Sequence, residues 1–520
     1  MKLETVFNKI NVLFLQFYGS AQPLNAEPLS IEVLIAALND HYGNAINISF
    51  DLIDNVKLKD FNLTDHPTFD IICASIPQST FELSHKYLKY LLSGSNRDSL
   101  LILGHAIPAN LPGLFFNEFP NAIIVNTWGE ETLIDLVDAF ILQKPIDEIP
   151  NITYLNNGKL ISTKIKWPNQ ITIPKRIMIR NFFNRIEASR GCSYNACSFC
   201  TRPKHSNCVT WQGAELSDIE KQLKWLSSQN LATFTFTDED FFGNDYERAL
   251  DIADLVSKHG QFHFSLSMRP DNIFSSLTPD SNKIKLSAIK NLQQAGLASI
   301  FLGVESFSQS QLDRYKKGTH VDDIKTSISI ICDLGIDLEL GLILLDPLVS
   351  KSEIIDNSGI IDTNSYWKFI GQLFNHMRVQ VGSPICKLYK LENLISELNN
   401  EMIEYSYKFK DPQISALFYF LISWKDRIDD IYLSIRNITR TETGLFRTLA
   451  QEFCQNYRLC QNQLLKEIIN NDFIISESFI QKSKEQQSQL IATLFDSPLS
   501  KSTLITDQII KKIRQIRNCE

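Results

Sequence analysis

No stretch of about 18 uncharged apolar residues occurs in this 520-residue sequence, so no membrane-spanning helix is expected. The segment from Met1 to Gln16 carries Glu4 and alternates as a strand does, which argues against a signal peptide. Charge of one sign is scarce too. A formal net charge of -8 offers no broad cationic surface for a phosphate backbone and argues against nucleic acid as the partner, though a local basic groove is compatible with it. Ten cysteines in such a length are too dilute for a disulfide scaffold. Three of them crowd into one short segment, as metal ligands do in reducing compartments, so a cytoplasmic location is expected. Internal repeats and long low-complexity runs are also missing. What remains is an ordinary globular mixture, 44% hydrophobic and 21% charged, long enough for two or three domains.

Up to residue 142, apolar strand-like runs alternate with helical patterns. Strands are expected at Ile10 to Leu15, Ile46 to Ile53, Phe69 to Ser75, Leu100 to Leu103 and Ala122 to Val125. Helices are expected at Ile31 to Leu38, Phe81 to Leu92 and Glu130 to Ile141. Near-continuous apolar strands with intervening helices predict an α/β unit, a doubly wound parallel sheet over residues 1–142. Residues 143–183 lose that rhythm, carry four prolines and include the tight-turn signal Asn156-Asn157-Gly158, so they read as a linker with a hairpin.

The alternation resumes over residues 184–384. Strands are expected near Ile186 to Ala188, Ala232 to Thr237, Phe262 to Ser267, Ser299 to Val304, Ile336 to Leu344 and Met377 to Val381. Helices fit between them at Glu215 to Gln229, Asp245 to His259, Lys283 to Gln294, Val321 to Leu334 and Ser365 to His376. Six strands with crossover helices predict a partial TIM-like barrel with its site at the strands' C-terminal ends. Residues 385–520 read as a mostly helical region without a nameable motif.

The chemistry concentrates in Ala188-Ser-Arg-Gly-Cys192-Ser-Tyr-Asn-Ala-Cys197-Ser-Phe-Cys200, directly after the first expected barrel strand. Three thiolates in a short loop can hold three irons of a cubane cluster and leave the fourth iron open. A structural zinc site wants four closed ligands, and the nearby His205 and Cys208 match no ordinary zinc spacing.

On these residues the chain resembles the radical S-adenosylmethionine superfamily, in particular the subgroup with a cobalamin-binding domain ahead of the barrel. Arg190-Gly191 and Phe199 also look like the family, while four residues instead of the usual three separate Cys192 from Cys197. A loop can absorb that insertion. The resemblance spans roughly Ile10 to Asp411. It implies a 4Fe-4S cluster on Cys192, Cys197 and Cys200 whose open iron binds S-adenosylmethionine. Reductive cleavage of the sulfonium would give a 5'-deoxyadenosyl radical that abstracts hydrogen from a small-molecule or peptide substrate. The electron would come from a donor such as flavodoxin or ferredoxin.

Further positions follow from the same resemblance. Asp238, Glu239 and Asp240 after the second strand are candidates to receive the ammonium of the cofactor's methionine end. Arg269 after the third could bind a carboxylate bidentately. Gly303 and Glu305 after the fourth would admit the backbone and bond the ribose hydroxyls or order Arg269, with Phe199 helping to seat the nucleoside. Each also has a plain reading, as helix cap, solvated acid or surface ion pair.

In the first unit, Leu103-Gly104-His105 and Asn126-Thr127-Trp128-Gly129-Glu130 resemble the late loops of the cobalamin domain, with Gly104 and Gly129 as the cofactor-contacting glycines. His105 stands where a second glycine is common, and no Asp-x-His-x-x-Gly segment supplies a lower axial histidine. Two outcomes stay open, a bound cobalamin or a domain that keeps the fold without the ligand. The leading expectation is therefore a radical enzyme, with methyl transfer if cobalamin binds and rearrangement or other hydrogen abstraction if it does not. A zinc- or cluster-containing interaction protein is the alternative from another class. An RNA-modifying relative is a third, against which the acidic balance counts.

Overall fold

The computed structural model describes residues 9–20, 27–54, 67–167, 170–174, 176, 184–201 and 210–517. His205 and Cys208 lie outside them.

The first unit is built on β1 (Ile10–Phe17), β2 (Ile46–Ile53), β3 (Ile71–Ser75), β4 (Leu100–Gly104) and β5 (Ile123–Val125). They pair in parallel in the order β2-β1-β3-β4-β5. Alternate residues of each strand feed opposite faces. Leu13, Leu15 and Phe17 pack with the helix Phe81–Leu91, while Val12 and Phe14 pack with the helices Leu29–Tyr42 and Glu130–Leu142. Helices thus cover both faces. The hairpin of β6 (Ile152–Asn156) and β7 (Lys159–Ser162) extends this sheet as an antiparallel edge. Its turn uses Asn157 and Gly158, both at positive φ.

The second unit has a parallel sheet of β8 (Arg185–Ile186), β11 (Thr233–Phe236), β12 (His263–Met268), β13 (Leu297–Glu305) and β14 (Asp337–Leu342), in that spatial order. Between β8 and β11 the chain forms a short antiparallel ribbon, β9 (Ser189–Gly191) with β10 (Trp211–Gly213). Crossover helices follow at Leu216–Ser228, Tyr246–His259, Asn282–Gln294 and Val321–Asp333, each burying one stripe. In Tyr246–His259 that stripe is Tyr246, Ala249, Ile252, Ala253 and Val256, and the Asp245 side chain caps the N-terminus through Arg248 N–H at 3.0 Å.

Two expectations are corrected. The sixth parallel strand shrinks to a single bridge, Leu345 to His376, after which β15 (Val379–Gln380), β16 (Ile395–Asn399) and β17 (Glu404–Tyr407) form a separate antiparallel sheet. The helix expected at Ser365 to His376 instead occupies Lys351–Thr363. Ser350 and Glu353 start it with a reciprocal capping box, and Ser365 beyond its end turns left-handed at φ 55°.

Four helices complete the chain, Pro412–Thr441, Gly444–Asn470, Glu477–Asp496 and Asp507–Arg517. They cover the edge that a closed barrel would fill with more strands. Arg436 pairs with Glu339 of β14, and Gln461 accepts the N–H of Leu373 at 2.8 Å. Leu342, Phe374, Leu421, Tyr432 and Tyr457 belong to one uninterrupted core, so barrel and helical region share an interior. None of the described helices is long and apolar enough to cross a membrane.

Candidate functional site

The cysteine loop leaves β9 at the C-terminal end of the parallel sheet. Cys192 N–H donates to Thr210 O at 2.8 Å, which ties the loop's start to the ribbon. Asn195, between the first two cysteines, sits in the left-handed region at φ 44°, a conformation Asn tolerates. At the far end Ser198 is buried and fixed three ways: its N–H donates to Tyr315 O at 2.8 Å, its hydroxyl to Arg314 O at 2.9 Å, and its carbonyl accepts Ile385 N–H at 2.8 Å. Phe199 packs edge-on against Tyr315 at 5.7 Å between ring centres.

The three thiols are half-buried and carry no disulfide. Among the described residues no three His, Cys, Asp or Glu side chains converge on one metal-ion position. A cubane takes one thiolate on each of three separate irons. Three soft donors in one anchored loop suit that chemistry.

Asp238, Glu239 and Asp240 all serve the segment around this loop. Asp240 is fully buried; one carboxylate oxygen accepts the N–H and hydroxyl of Ser193 at 2.9 and 2.6 Å, the other accepts Gly243 N–H at 3.2 Å and Asn272 Nδ2 at 3.1 Å. Asp238 accepts the Ser189 hydroxyl and, at 3.3 Å, Ala188 N–H. Burial pushes its carboxyl up to about 7, with those two donors pulling the other way. Glu239 accepts Gly191 N–H at 2.9 Å.

Arg269 ends β12 and is buried. It donates to both Asp271 oxygens, to Lys317 O at 2.7 Å and to Cys197 Sγ at 3.5 Å, and its guanidinium lies 3.8 Å from the centre of the Tyr194 ring. Glu305 meets Lys317 Nζ at 3.2 Å. Arg269 and Glu305 are thus linked through Lys317. A β-carbon on Gly303 would lie 2.9 Å from Glu305 Oε1 and 3.3 Å from Lys317 Nζ, so the glycine makes room for that pair. The run Lys316-Lys317-Gly318 after the fourth strand also resembles the family, but only contact geometry gives Lys317 and Tyr194 their roles and tells the buried lysine from its neighbour.

A second feature opens at the carboxyl ends of β1, β3, β4 and β5, beside the point where the strand order reverses between β1 and β3. It is a cavity of about 450 Å³ whose wall includes Ser75, Gly104, His105, Thr127, Trp128 and Gly129 from the first unit and Glu187, Arg190 and Glu239 from the second. The hydroxyls of Ser75 and Thr127 are buried without a hydrogen-bond partner among the described residues. Two orphaned polar atoms in the wall of a nucleotide-sized cavity point to a polar ligand. Space beside the Gly104 α-carbon is open, while a β-carbon on Gly129 would press Leu34 at 3.1 Å.

His105 lies in this wall at φ 77°, ψ −168°, a region that only glycine adopts freely. Its Nδ1 accepts Ala106 N–H at 2.8 Å. The residue is exposed to the cavity, whose largely apolar wall partly desolvates the ring and lowers its pKa to about 4. A neutral imidazole with Nδ1 occupied carries its proton on Nε2, so the ring is a donor toward the cavity.

Residues 186–356 match the model of the radical SAM superfamily. The chain is 27% identical over 304 residues to 4'-phospho-dehydrooxetanocin synthase of Priestia megaterium, covering 54% of this chain and 41% of that protein. It is 25% identical over 252 residues to an uncharacterized methyltransferase of Pyrococcus horikoshii, covering 45% and 52%. The chain thus spans about half the length of these curated relatives or less. Among solved structures, the cobalamin-dependent S-adenosylmethionine radical enzyme OxsB, with aqua-cobalamin and S-adenosylmethionine bound, superposes with a TM-score of 0.82 at 19% identity, covering 98% of this chain and 83% of that one. The radical S-adenosylmethionine methyltransferase TsrM from Kitasatospora setae, with cobalamin and a [4Fe-4S] cluster bound, gives 0.55 at 14% identity, covering 73% and 74%.

Proposed function

Taking as premise that residues 186–356 form a domain of the radical S-adenosylmethionine superfamily, we propose that this chain is a cobalamin-binding radical enzyme acting on a small molecule. The observation that carries the reading is the anchored loop of Cys192, Cys197 and Cys200 at the C-terminal mouth of the parallel sheet, in a chain whose first unit holds a cavity with hydroxyls unpartnered among the described residues. When bound there, a four-iron, four-sulfur cluster supplies the electron that cleaves the sulfonium of S-adenosylmethionine, and a corrinoid supplies a methyl carrier or redox partner.

The chain's own residues do the positioning. Tyr194, Ser193 and Ser198 fix the loop through Lys316 O, Asp240 and the Arg314–Tyr315 backbone. Arg269 places a guanidinium donor 3.5 Å from the Cys197 sulfur. Lys317 and Glu305 present a nearly buried pair of opposite charges suited to the zwitterionic end or the ribose of S-adenosylmethionine. Ser75, Gly104, Thr127 and Gly129 would hold the corrinoid's polar tail. A one-electron donor such as flavodoxin or ferredoxin would complete the system.

Anaerobic reconstitution tests this. Brown protein with about four irons and four sulfides per chain is expected, forming 5'-deoxyadenosine or a methylated product on reduction with S-adenosylmethionine. Replacing any of the three cysteines with alanine should abolish both. Colourless protein holding a single zinc would overturn the proposal.

A further inference from the structure

Arg190 stands between the cavity and the cysteine loop and belongs to both. Only 7% of it is exposed. Nη1 donates to Glu130 Oε1 at 2.5 Å, while Nε and Nη2 donate to the two Glu187 oxygens at 2.6 and 2.8 Å. Glu130 opens the helix Glu130–Leu142 of the first unit, so this one guanidinium ties the two units together. Its central carbon also lies 5.1 Å from the centre of the Trp128 ring. Trp128, Glu130, Glu187 and Arg190 all line the cavity.

Two residues further on is Cys192. The intervening Gly191 is at φ 90°, where a β-carbon would fall 2.2 Å from Thr210 O, and its N–H is held by Glu239, a fifth residue of the cavity wall. This backbone has no slack. A displacement of Trp128 or Glu130 by an occupant of the cavity acts on Arg190, and Arg190 passes it to the segment that presents the first cysteine. A buried cation shared by two carboxylates resists losing either, because the partner left behind is an uncompensated buried charge.

We propose that Arg190 is a positioning residue that couples the two sites, so that filling the cysteine loop with its cluster tightens ligand binding in the cavity, and filling the cavity tightens the loop. The inference rests on the function proposed above. Linkage makes the effect reciprocal, and it is measured as a ratio of affinities.

The test is equilibrium dialysis of hydroxocobalamin against the full chain, cluster-free and cluster-reconstituted, with bound cobalt counted. In the wild type the cluster should tighten binding by about fivefold or more. In Arg190→Met and in Glu130→Gln the ratio should fall to within about twofold of one. Glu130→Gln leaves Glu187 on Arg190 and touches nothing in the cysteine loop, so its iron content should match the wild type even if Arg190→Met folds poorly. A merely structural role for Arg190 would weaken both affinities together and leave the ratio intact, which would overturn the inference. Equal affinities in the two wild-type forms would overturn it alone, with the proposed function untouched. Failure of hydroxocobalamin to bind either form would overturn the cavity assignment and this inference with it.

Discussion

Two positions hold backbone conformations that cost energy once a β-carbon is present, and each can be probed by its smallest replacement. Gly318 has φ 68°, and a β-carbon there would come 2.3 Å from the Tyr194 hydroxyl, which donates to Lys316 O at 2.7 Å. Gly318→Ala should therefore cost about 1–3 kcal/mol in a denaturant titration and lower the iron retained after reconstitution, because Tyr194 must leave its anchor. His105 pays a similar backbone cost but recovers part of it through its Nδ1 bond to Ala106 N–H. His105→Gly relieves the backbone, whereas His105→Ala keeps the strain and loses the bond. The melting temperature of the glycine variant should exceed that of the alanine variant; the reverse order would mean that His105 is not strained in solution.

At the scale of single elements, long-range carboxylates set the details. Glu401, in the turn between β16 and β17, accepts the N–H groups of Phe81 and Glu82 at 2.8 and 2.7 Å and so caps a helix some 300 residues away, in the other unit. Glu401→Ala should cost about 1 kcal/mol and raise amide exchange at the start of Phe81–Leu91. Asp238 gives a pH signature. Its folded pKa of about 7 lies above the ordinary aspartate value near 4, so between the two the folded chain keeps a proton that the unfolded chain has released. Stability from this group is full at low pH and is lost as pH rises through that window. The melting temperature of Asp238→Asn relative to the wild type should climb from acid to neutral pH and level off above it; a constant difference would show that the carboxyl titrates normally. Strands and crossover helices of both sheets were legible because their burial repeats locally, every second or every third to fourth residue. The helix Lys351–Thr363 also announced itself, in Ser350 and Glu353, and was missed beside the stronger apolar pattern that follows. The roles of Lys317, Glu401 and the Glu130 partner of Arg190 were not legible, since they depend on contacts across 12 to 320 residues that no local pattern encodes.

The molecule as a whole divides unevenly. The first unit meets the rest through polar clamps, Arg190 with Glu130, Glu401 on a helix end, and Arg176 buried between Glu27 and Glu32, and through a small apolar contact in which Ile403 and Val381 join its core. The parallel sheet and the C-terminal helices are also joined by polar contacts such as Arg436–Glu339 and Lys466–Asp362, but there the apolar residues of both sides merge in one large interior. Grafting would expose the asymmetry. A chimera that exchanges residues up to about 167 must keep the hydrogen-bonded joints and the small apolar contact with Ile403 and Val381, whereas any splice between the end of β14 and the long helix Pro412–Thr441 cuts through far more extensive shared hydrophobic packing. Recombination within this architecture is thus easiest in the front third of the chain, and the last hundred residues travel only with the barrel they complete.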